Sequence, residues 1–262
     1  MYPDIAKIGP ITIHSFGLML AAAFLICGHL YARELERRRL DPALAGVVVF
    51  WAVIGGIVGA RLYYIVTFWR EVREDWFAAI FSGSGLVWYG GFVGGMAACL
   101  LAVKRHGASP IKMLDAVAPF ISLGYGIGRI GCFLAGDGDY GPPSSLPWAM
   151  EFPNGVVRTP PGVSVHPTPL YELGLSLLIF WMLYRLRLKP KPDGWLFACF
   201  LCLQGAERAV MEHWRVNPAV AWGLSEAQLI GLASFLAGIV WLTRLELQAR
   251  SSGQLGVRTP PA

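Results

Sequence analysis

Apolar residues run along this chain in long blocks separated by short polar connections. Seven blocks approach the roughly 20 residues that an α-helix needs to cross a bilayer. They cover His14–Ala32, Ala43–Phe68, Gly83–Val103, Ile111–Leu134, Thr168–Leu186, Gly194–Met211 and Ser225–Leu245. The pattern predicts an all-α, polytopic membrane protein of seven transmembrane helices. Residues 1–250 are expected to form a single membrane domain, followed by a disordered tail at 251–262. The first block has no basic leading region and no evident cleavage site, so it is read as a span and not as a signal peptide.

The connections are short, with one exception. Residues 135–167 are rich in Gly and Pro and hold Tyr140, Trp148 and Phe152, aromatics suited to a membrane interface. This segment is expected to form a small head, with Phe152-Pro153-Asn154-Gly155 as a turn between short extended pieces. The connection Trp69–Ser82 carries the mixed-charge stretch from Arg70 to Phe77, which fits an interfacial amphipathic helix or a solvated loop equally. Paired glycines (Gly55-Gly56, Gly90-Gly91, Gly94-Gly95) are expected to serve close helix packing. No inverted repeat is visible.

Composition agrees with the hydropathy pattern: the 262 residues are 55% hydrophobic and only 15% charged. Lys and Arg also orient the chain. Fourteen of the 22 lie in or beside the first, third and fifth connections and the tail, and five lie on the opposite side. The N-terminus is therefore expected outside and the C-terminus in the cytoplasm. The net charge of +5 follows from this asymmetry; it implies contact with anionic membrane lipid and no nucleic-acid partner. All five cysteines (Cys27, Cys99, Cys132, Cys199, Cys202) fall in spans, which excludes a disulfide framework. Cys199 and Cys202 form a CxxC without a second ligand pair, so packing is expected and not metal binding. The five histidines show no ligand spacing, and no metal or cofactor is implied.

The remaining three basic residues are arginines inside the blocks: Arg61, Arg129 and Arg208. A charge at membrane depth is costly and marks a functional site by default. With the predicted orientation, these arginines share the outer half of the bilayer with Tyr89, His166, Tyr171, Glu172, Glu207 and Glu212. An ion pathway would spread its polar groups through the full depth. This cluster instead describes a pocket opening outward. Arg208, Glu212 and Arg215 are spaced to share one helical face. Two readings stand: an ion-pair network that ties helices together, in which Glu172, Glu207 and Glu212 neutralise the arginines, or a site for a phosphate at headgroup depth, which guanidinium forks suit. Gly128-Arg129-Ile130-Gly131, an arginine flanked by residues that let backbone approach a ligand, favours the second.

Several motifs together resemble the phosphatidylglycerol–prolipoprotein diacylglyceryl transferase family. They are Ile8-Gly9-Pro10, Gly17-Leu18-Met19, Gly59-Ala60-Arg61-Leu62-Tyr63-Tyr64, Gly90-Gly91-Phe92-Val93-Gly94, the stretch from Gly128 to Asp137, the stretch from His166 to Glu172, and the stretch from Arg208 to Arg215. The resemblance spans nearly the whole chain. It implies an enzyme of the bacterial cytoplasmic (inner) membrane. Such an enzyme moves the diacylglyceryl group of phosphatidylglycerol to the lipobox cysteine thiol of a preprolipoprotein signal peptide and releases glycerol-1-phosphate. It also implies that Arg129 and Arg208 hold the phosphate. Glu212, Arg215 and Arg61 then shape the pocket, and Gly141 is a glycine of the outer loop. Gly128, Gly131, Cys132, Asp137, His166, Tyr171 and Glu172 fall among the substrate-binding positions, and Tyr89 among the catalytic ones.

Three positions depart from many family members: Tyr89 stands where His is common, Cys132 where Asn is common, and Phe16 where Tyr is common. The candidates for activating the thiol are His14, His166, Glu212, Tyr89 and water. Two further functions compete: a divergent relative that transfers a lipid-derived group to another acceptor, and a non-enzymatic phospholipid-binding or transport protein. The second is disfavoured, because the inner halves of the spans hold no polar track. A retinal-type sensor is excluded, since the last span has no lysine. Neither a G-x-S-x-G nor an H-E-x-x-H motif is present.

Overall fold

A computed structural model of the protein describes residues 1–9, 11–73 and 88–251, without the side chains of Ile11, Glu71, Trp88 and Tyr89. The expected tail after Ser251 and most of the 69–82 connection lie outside these residues. Along the described chain run β1 (Asp4–Ile8), β2 (Ile11–His14), α1 (Ser15–Arg37), α2 (Ala43–Thr67), the one-turn α3 (Trp69–Val72), α4 (Trp88–Arg105) and α5 (Pro110–Ala135). These are followed by α6 (Thr168–Leu186), α7 (Trp195–Met211), a 3₁₀ turn at Glu212–Trp214, β3 (Ala219–Ala221), β4 (Leu224–Ser225) and α8 (Glu226–Ser251). The protein is mostly helical. Two antiparallel hairpins, β1–β2 and β3–β4, add to the expected all-α plan.

Among the described residues, α1, α2, α5 and α8 are long and apolar enough to cross a membrane. The other long helices, α4, α6 and α7, have 18, 19 and 17 residues. A 17-residue helix is roughly 26 Å long, shorter than a bilayer core of about 30 Å. All five cysteines are free thiols. The fold divides into two compact units, residues 28–113 and residues 1–27 with 114 onward.

In the unit 28–113, α2 and α4 pack backbone to backbone. A Cβ at Gly55 would sit 2.7 Å from the Gly94 carbonyl oxygen, and one at Gly94 would sit 2.7 Å from Gly59 Cα. Only glycine allows this approach, which is the small-residue packing expected of membrane helices. Asp41 starts α2 by accepting the Ala43 N–H at 2.9 Å. Glu34, buried in α1, takes Arg37 at 2.6 Å and Arg38 at 2.8 Å. Arg61 belongs to α2 in this unit.

In the other unit, α5, α6 and α7 share a core of Ala118, Ile179, Leu183, Leu196, Phe197 and Phe200. The start of α7 has no capping side chain of its own, because Gly194 occupies the cap with φ +92°. Asp115 of α5 supplies the cap from a distance, accepting the N–H of Gly194 at 2.7 Å and of Phe197 at 2.8 Å. This carboxylate satisfies two orphan amides of the first turn and locks α5 to α7. At the start of α8, Ser225 and Gln228 cap each other's backbone N–H at 3.2 and 3.0 Å, a reciprocal capping box.

The head segment has its own small core. Phe152 is 1% exposed and meets Tyr140 and Phe133 with ring centroids 5.0 and 6.0 Å apart. The expected turn is present: the Gly155 N–H reaches the Phe152 carbonyl at 3.3 Å. Val165 pairs with Met150 in both directions at 3.0 and 3.1 Å, which ties the end of the head back onto its middle.

Candidate active site

Three arginines and three carboxylates meet where α5, α6 and α7 end or begin. Arg129 comes from the last turns of α5, Glu172 from the start of α6, and Arg208 from the end of α7. The helical spacing of Arg208, Glu212 and Arg215 predicted one continuous face. Instead α7 stops at Met211, Glu212–Trp214 tighten into the 3₁₀ turn, and Arg215 leaves in extended conformation. Arg215 still returns to the same cluster, because its side chain is drawn to the same acids.

Glu172 is the hub. It has no solvent exposure. Its Oε2 lies 3.0 Å from Arg129 Nε, and its Oε1 lies 2.9 Å from Arg208 Nη1 and 3.3 Å from Arg215 Nη1. Asp139, in the head segment, pairs with both Arg129 and Arg215. Glu212 Oε2 lies 3.1 Å from Arg208 Nη2 and 3.9 Å from Arg215 Nε, but these contacts lack the alignment of hydrogen bonds and that oxygen receives none. Its Oε1 accepts from Asn217 at 2.6 Å. The Arg129 guanidinium also lies over the Tyr125 ring, 4.7 Å from its centroid. Ion-pair network and arginine site are thus the same object: the guanidinium forks converge and each is matched by acid. Such a buried network is held together because loss of one partner strands a charge out of water.

The acids are not equivalent. Glu172 is sealed, whereas the Asp139 side chain is 29% exposed. Burial alone would raise the Asp139 carboxyl, but Arg129 and Arg215 hold it below the usual carboxylate range. Thr168 fixes the loop by donating its hydroxyl to the Asp139 carbonyl. Gly141 lets this strap pass close to the 3₁₀ turn: a Cβ there would collide with the Trp214 carbonyl oxygen and sit 3.0 Å from His166 Cβ. Asp139 was not among the residues singled out in the sequence. Its signal was faint, an acid ten residues after Arg129 in a glycine-rich loop where acids are ordinary.

Glu207 departs from its expected pairing with the arginines. Gln204 Nε2 donates to its Oε2 at 2.8 Å, and its Oε1 is buried without a protein partner. Cys132 is buried and accepts from Arg129 Nη1 at 3.7 Å. Burial pushes the Asp137 carboxyl above the usual range, and its Oδ1 accepts the Asp139 N–H at 3.3 Å. The Cys132 sulfur and one oxygen each of Asp137 and Asp139 lie within 4.8 Å of one another, a grouping the sequence spacing did not disclose. The Arg129 guanidinium already serves this group as its cation, bonded to both Cys132 and Asp139.

The remaining sequence candidates sit around this cluster or apart from it. His166 Nδ1 lies 3.2 Å from the Tyr171 hydroxyl, which Trp148 Nε1 reaches at 2.6 Å. His14 ends β2 and pairs with Asp4 at 2.7 Å on an exposed surface. Gly131 packs on α1, where a Cβ would come within 3.2 Å of Phe16 and Met19, whereas a Cβ at Gly128 would meet nothing within 4 Å. Arg61 is described with the unit 28–113. Tyr89 stands in the first turn of α4, and its side chain lies outside the described residues.

These features define a class first: a helical protein with helices long and apolar enough to cross a membrane and a buried arginine–carboxylate site at the ends of α5, α6 and α7. Comparison with known proteins then gives the family. Residues 3–244 match the family model described as prolipoprotein diacylglyceryl transferase. Proteins named phosphatidylglycerol–prolipoprotein diacylglyceryl transferase are similar along almost their full length. That of Trichormus variabilis is 34% identical, covering 92% of this chain and 89% of that one. That of Bordetella avium is 34% identical, covering 91% and 92%, and that of Pseudomonas paraeruginosa is 35% identical, covering 93% and 96%. The chain belongs to the prolipoprotein diacylglyceryl transferase family.

Proposed function

We propose that the protein transfers the diacylglyceryl group of phosphatidylglycerol to the lipobox cysteine thiol of preprolipoproteins and releases glycerol-1-phosphate. The observation that carries this reading is the convergence of Arg129, Arg208 and Arg215 on one cluster whose only partly exposed acid is Asp139. Arg129 and Arg208 hold the lipid phosphate, which displaces the Asp139 carboxylate from Arg129, while sealed Glu172 keeps the forks aligned. The thiol sulfur then attacks the glycerol carbon that bears the phosphate. A C–S bond forms, the C–O bond breaks, and the arginines stabilise the charge gathering on the departing phosphate. Glu212, Gly141, His166 and Tyr171 shape the pocket, and Gly128, Gly131, Cys132 and Asp137 line it.

The same proposal makes residues 1–250 one membrane domain of seven spans, with the N-terminus outside and the site facing the outer side of a bacterial cytoplasmic membrane. The bias of Lys and Arg toward one set of connections supports this orientation. One second reading follows from the resemblance: it implies that Phe16, Tyr89 and Cys132 depart from common family residues, which fits a relative with another acceptor. Complementation separates the two. Expression in a strain depleted of its own transferase should restore lipoprotein maturation; failure with correctly inserted protein would favour another acceptor.

A further inference from the structure

Thiol transfer requires an acceptor for the sulfur's proton. The three acids of the arginine cluster are poor choices on geometry: Glu172 and Asp139 already accept from guanidinium donors, and Glu212 Oε2, which receives no hydrogen bond, still lies 3.1 Å from Arg208 Nη2. One carboxylate beside the cluster is differently placed. Glu207 adjoins Arg208 in α7, is 6% exposed and contacts no arginine by ion pair among the described residues. Ser122 donates its hydroxyl to Gln204 Oε1 at 3.4 Å. That contact turns Gln204 Nε2 toward Glu207, where it occupies Oε2 at 2.8 Å. Oε1 is left buried with no protein partner. Tyr125 repeats the pattern: its ring lies under Arg129, its hydroxyl is buried without a protein partner, and it is in electrostatic range of both Glu207 and Arg208. Buried polar atoms are rarely left unpartnered without a task.

We propose that Glu207 receives the thiol proton during transfer. This rests on the transferase reading. The balance closes without any other reactant. The S–H proton passes to Glu207 Oε1 as the C–S bond forms and the C–O bond breaks. It then leaves with the released phosphate monoester, restoring the carboxylate. Gln204 holds the other oxygen and so fixes which one is free. The charged groups facing Glu207 are Arg129 from α5, Glu172 from α6 and Arg208 from α7. The stretch Gly231–Gly238 of α8, which packs on α7, carries no charge.

The test is the transfer rate from phosphatidylglycerol to a lipobox peptide in detergent, measured across a pH series for wild type, Glu207→Gln and Glu207→Asp. Wild type should lose kcat toward acid pH as the acceptor protonates. Glu207→Gln should lose about 100-fold in kcat, the scale of general-base catalysis, keep KM for the lipid within about two-fold, and lose the acid limb. Glu207→Asp should be slower and keep the limb, which preserves the test if the glutamine variant does not insert. An acid limb that survives in Glu207→Gln, or disappears in Glu207→Asp or in His166→Asn, would overturn the proposal. No turnover by inserted wild type would instead defeat the transferase reading, and this inference with it.

Discussion

Glu172 Oε1 lies 2.9 Å from Arg208 Nη1 inside a site from which the glutamate is wholly shielded. The same carboxylate also takes Arg129 and Arg215, so one residue of α6 sets the position of guanidinium groups from α5, from α7 and from the extended segment after the 3₁₀ turn. Replacing it with Gln would leave three arginines facing a neutral amide. Loss of one partner from a buried network costs about 3–5 kcal/mol. Glu172→Gln should therefore lower the thermal midpoint of the detergent-solubilised protein markedly as well as stop transfer; an unchanged midpoint would remove Glu172 as the organiser.

Asp139 should act as a competitor of the lipid phosphate. Asp139→Asn removes the acid of two part-exposed ion pairs, together worth roughly 1 kcal/mol or about five-fold in affinity. The KM for phosphatidylglycerol should fall by about that factor. A rise in KM would mean that Asp139 aids headgroup binding.

The two aspartates of the head should respond to pH with opposite signs. The folded-state Asp139 carboxyl is depressed, so its contribution to stability is present above the ordinary value near 4 and is lost as pH falls through the depressed one. The Asp137 carboxyl is raised by burial, so its favourable contribution exists at low pH and is lost as pH rises through the raised value. Asp139→Asn should then lower the thermal midpoint at pH 7 and lose that effect in strong acid. Asp137→Asn should raise the midpoint at pH 7 and have little effect near pH 4. Equal responses from both variants would contradict these environments.

The mostly helical plan was readable because each apolar block repeats the same signal over many residues, and the meeting of Arg129 and Arg208 with acids because charge stands out against that background. Asp139 was hidden for the converse reason: it lies in a polar loop, and only the fold brings it to Arg129 and Arg215. The Glu207 pairing failed by one residue of helix. A step of about 100° turns it away from the side that Arg208 presents to Glu172. The hairpins escaped notice because strands of two to five residues are too short to establish an alternating pattern. β2 accordingly takes His14, which the apolar pattern had assigned to the first span.

Orientation is open to labelling. A cysteine placed at Ser144, in the head, should react with an impermeant thiol reagent in intact cells, and one placed at Arg187, after α6, should react only after permeabilisation. The reverse pattern would put the arginine cluster on the cytoplasmic side.

Arg129→Lys keeps the charge but loses the planar fork that joins Glu172, Asp139 and a phosphate. Transfer should fall by about 100-fold or more, the usual effect of removing an oriented donor from a developing anion. Near-normal rates with lysine would mean that charge alone suffices.

The most direct measurement follows labelled phosphatidylglycerol with a lipobox peptide and purified protein. Wild type should place the label on the peptide cysteine and release glycerol-1-phosphate in equal amount, while Arg129→Ala and Arg208→Ala, inserted normally, should do neither. Transfer at wild-type rates by both alanine variants would contradict the phosphate-holding role of the cluster.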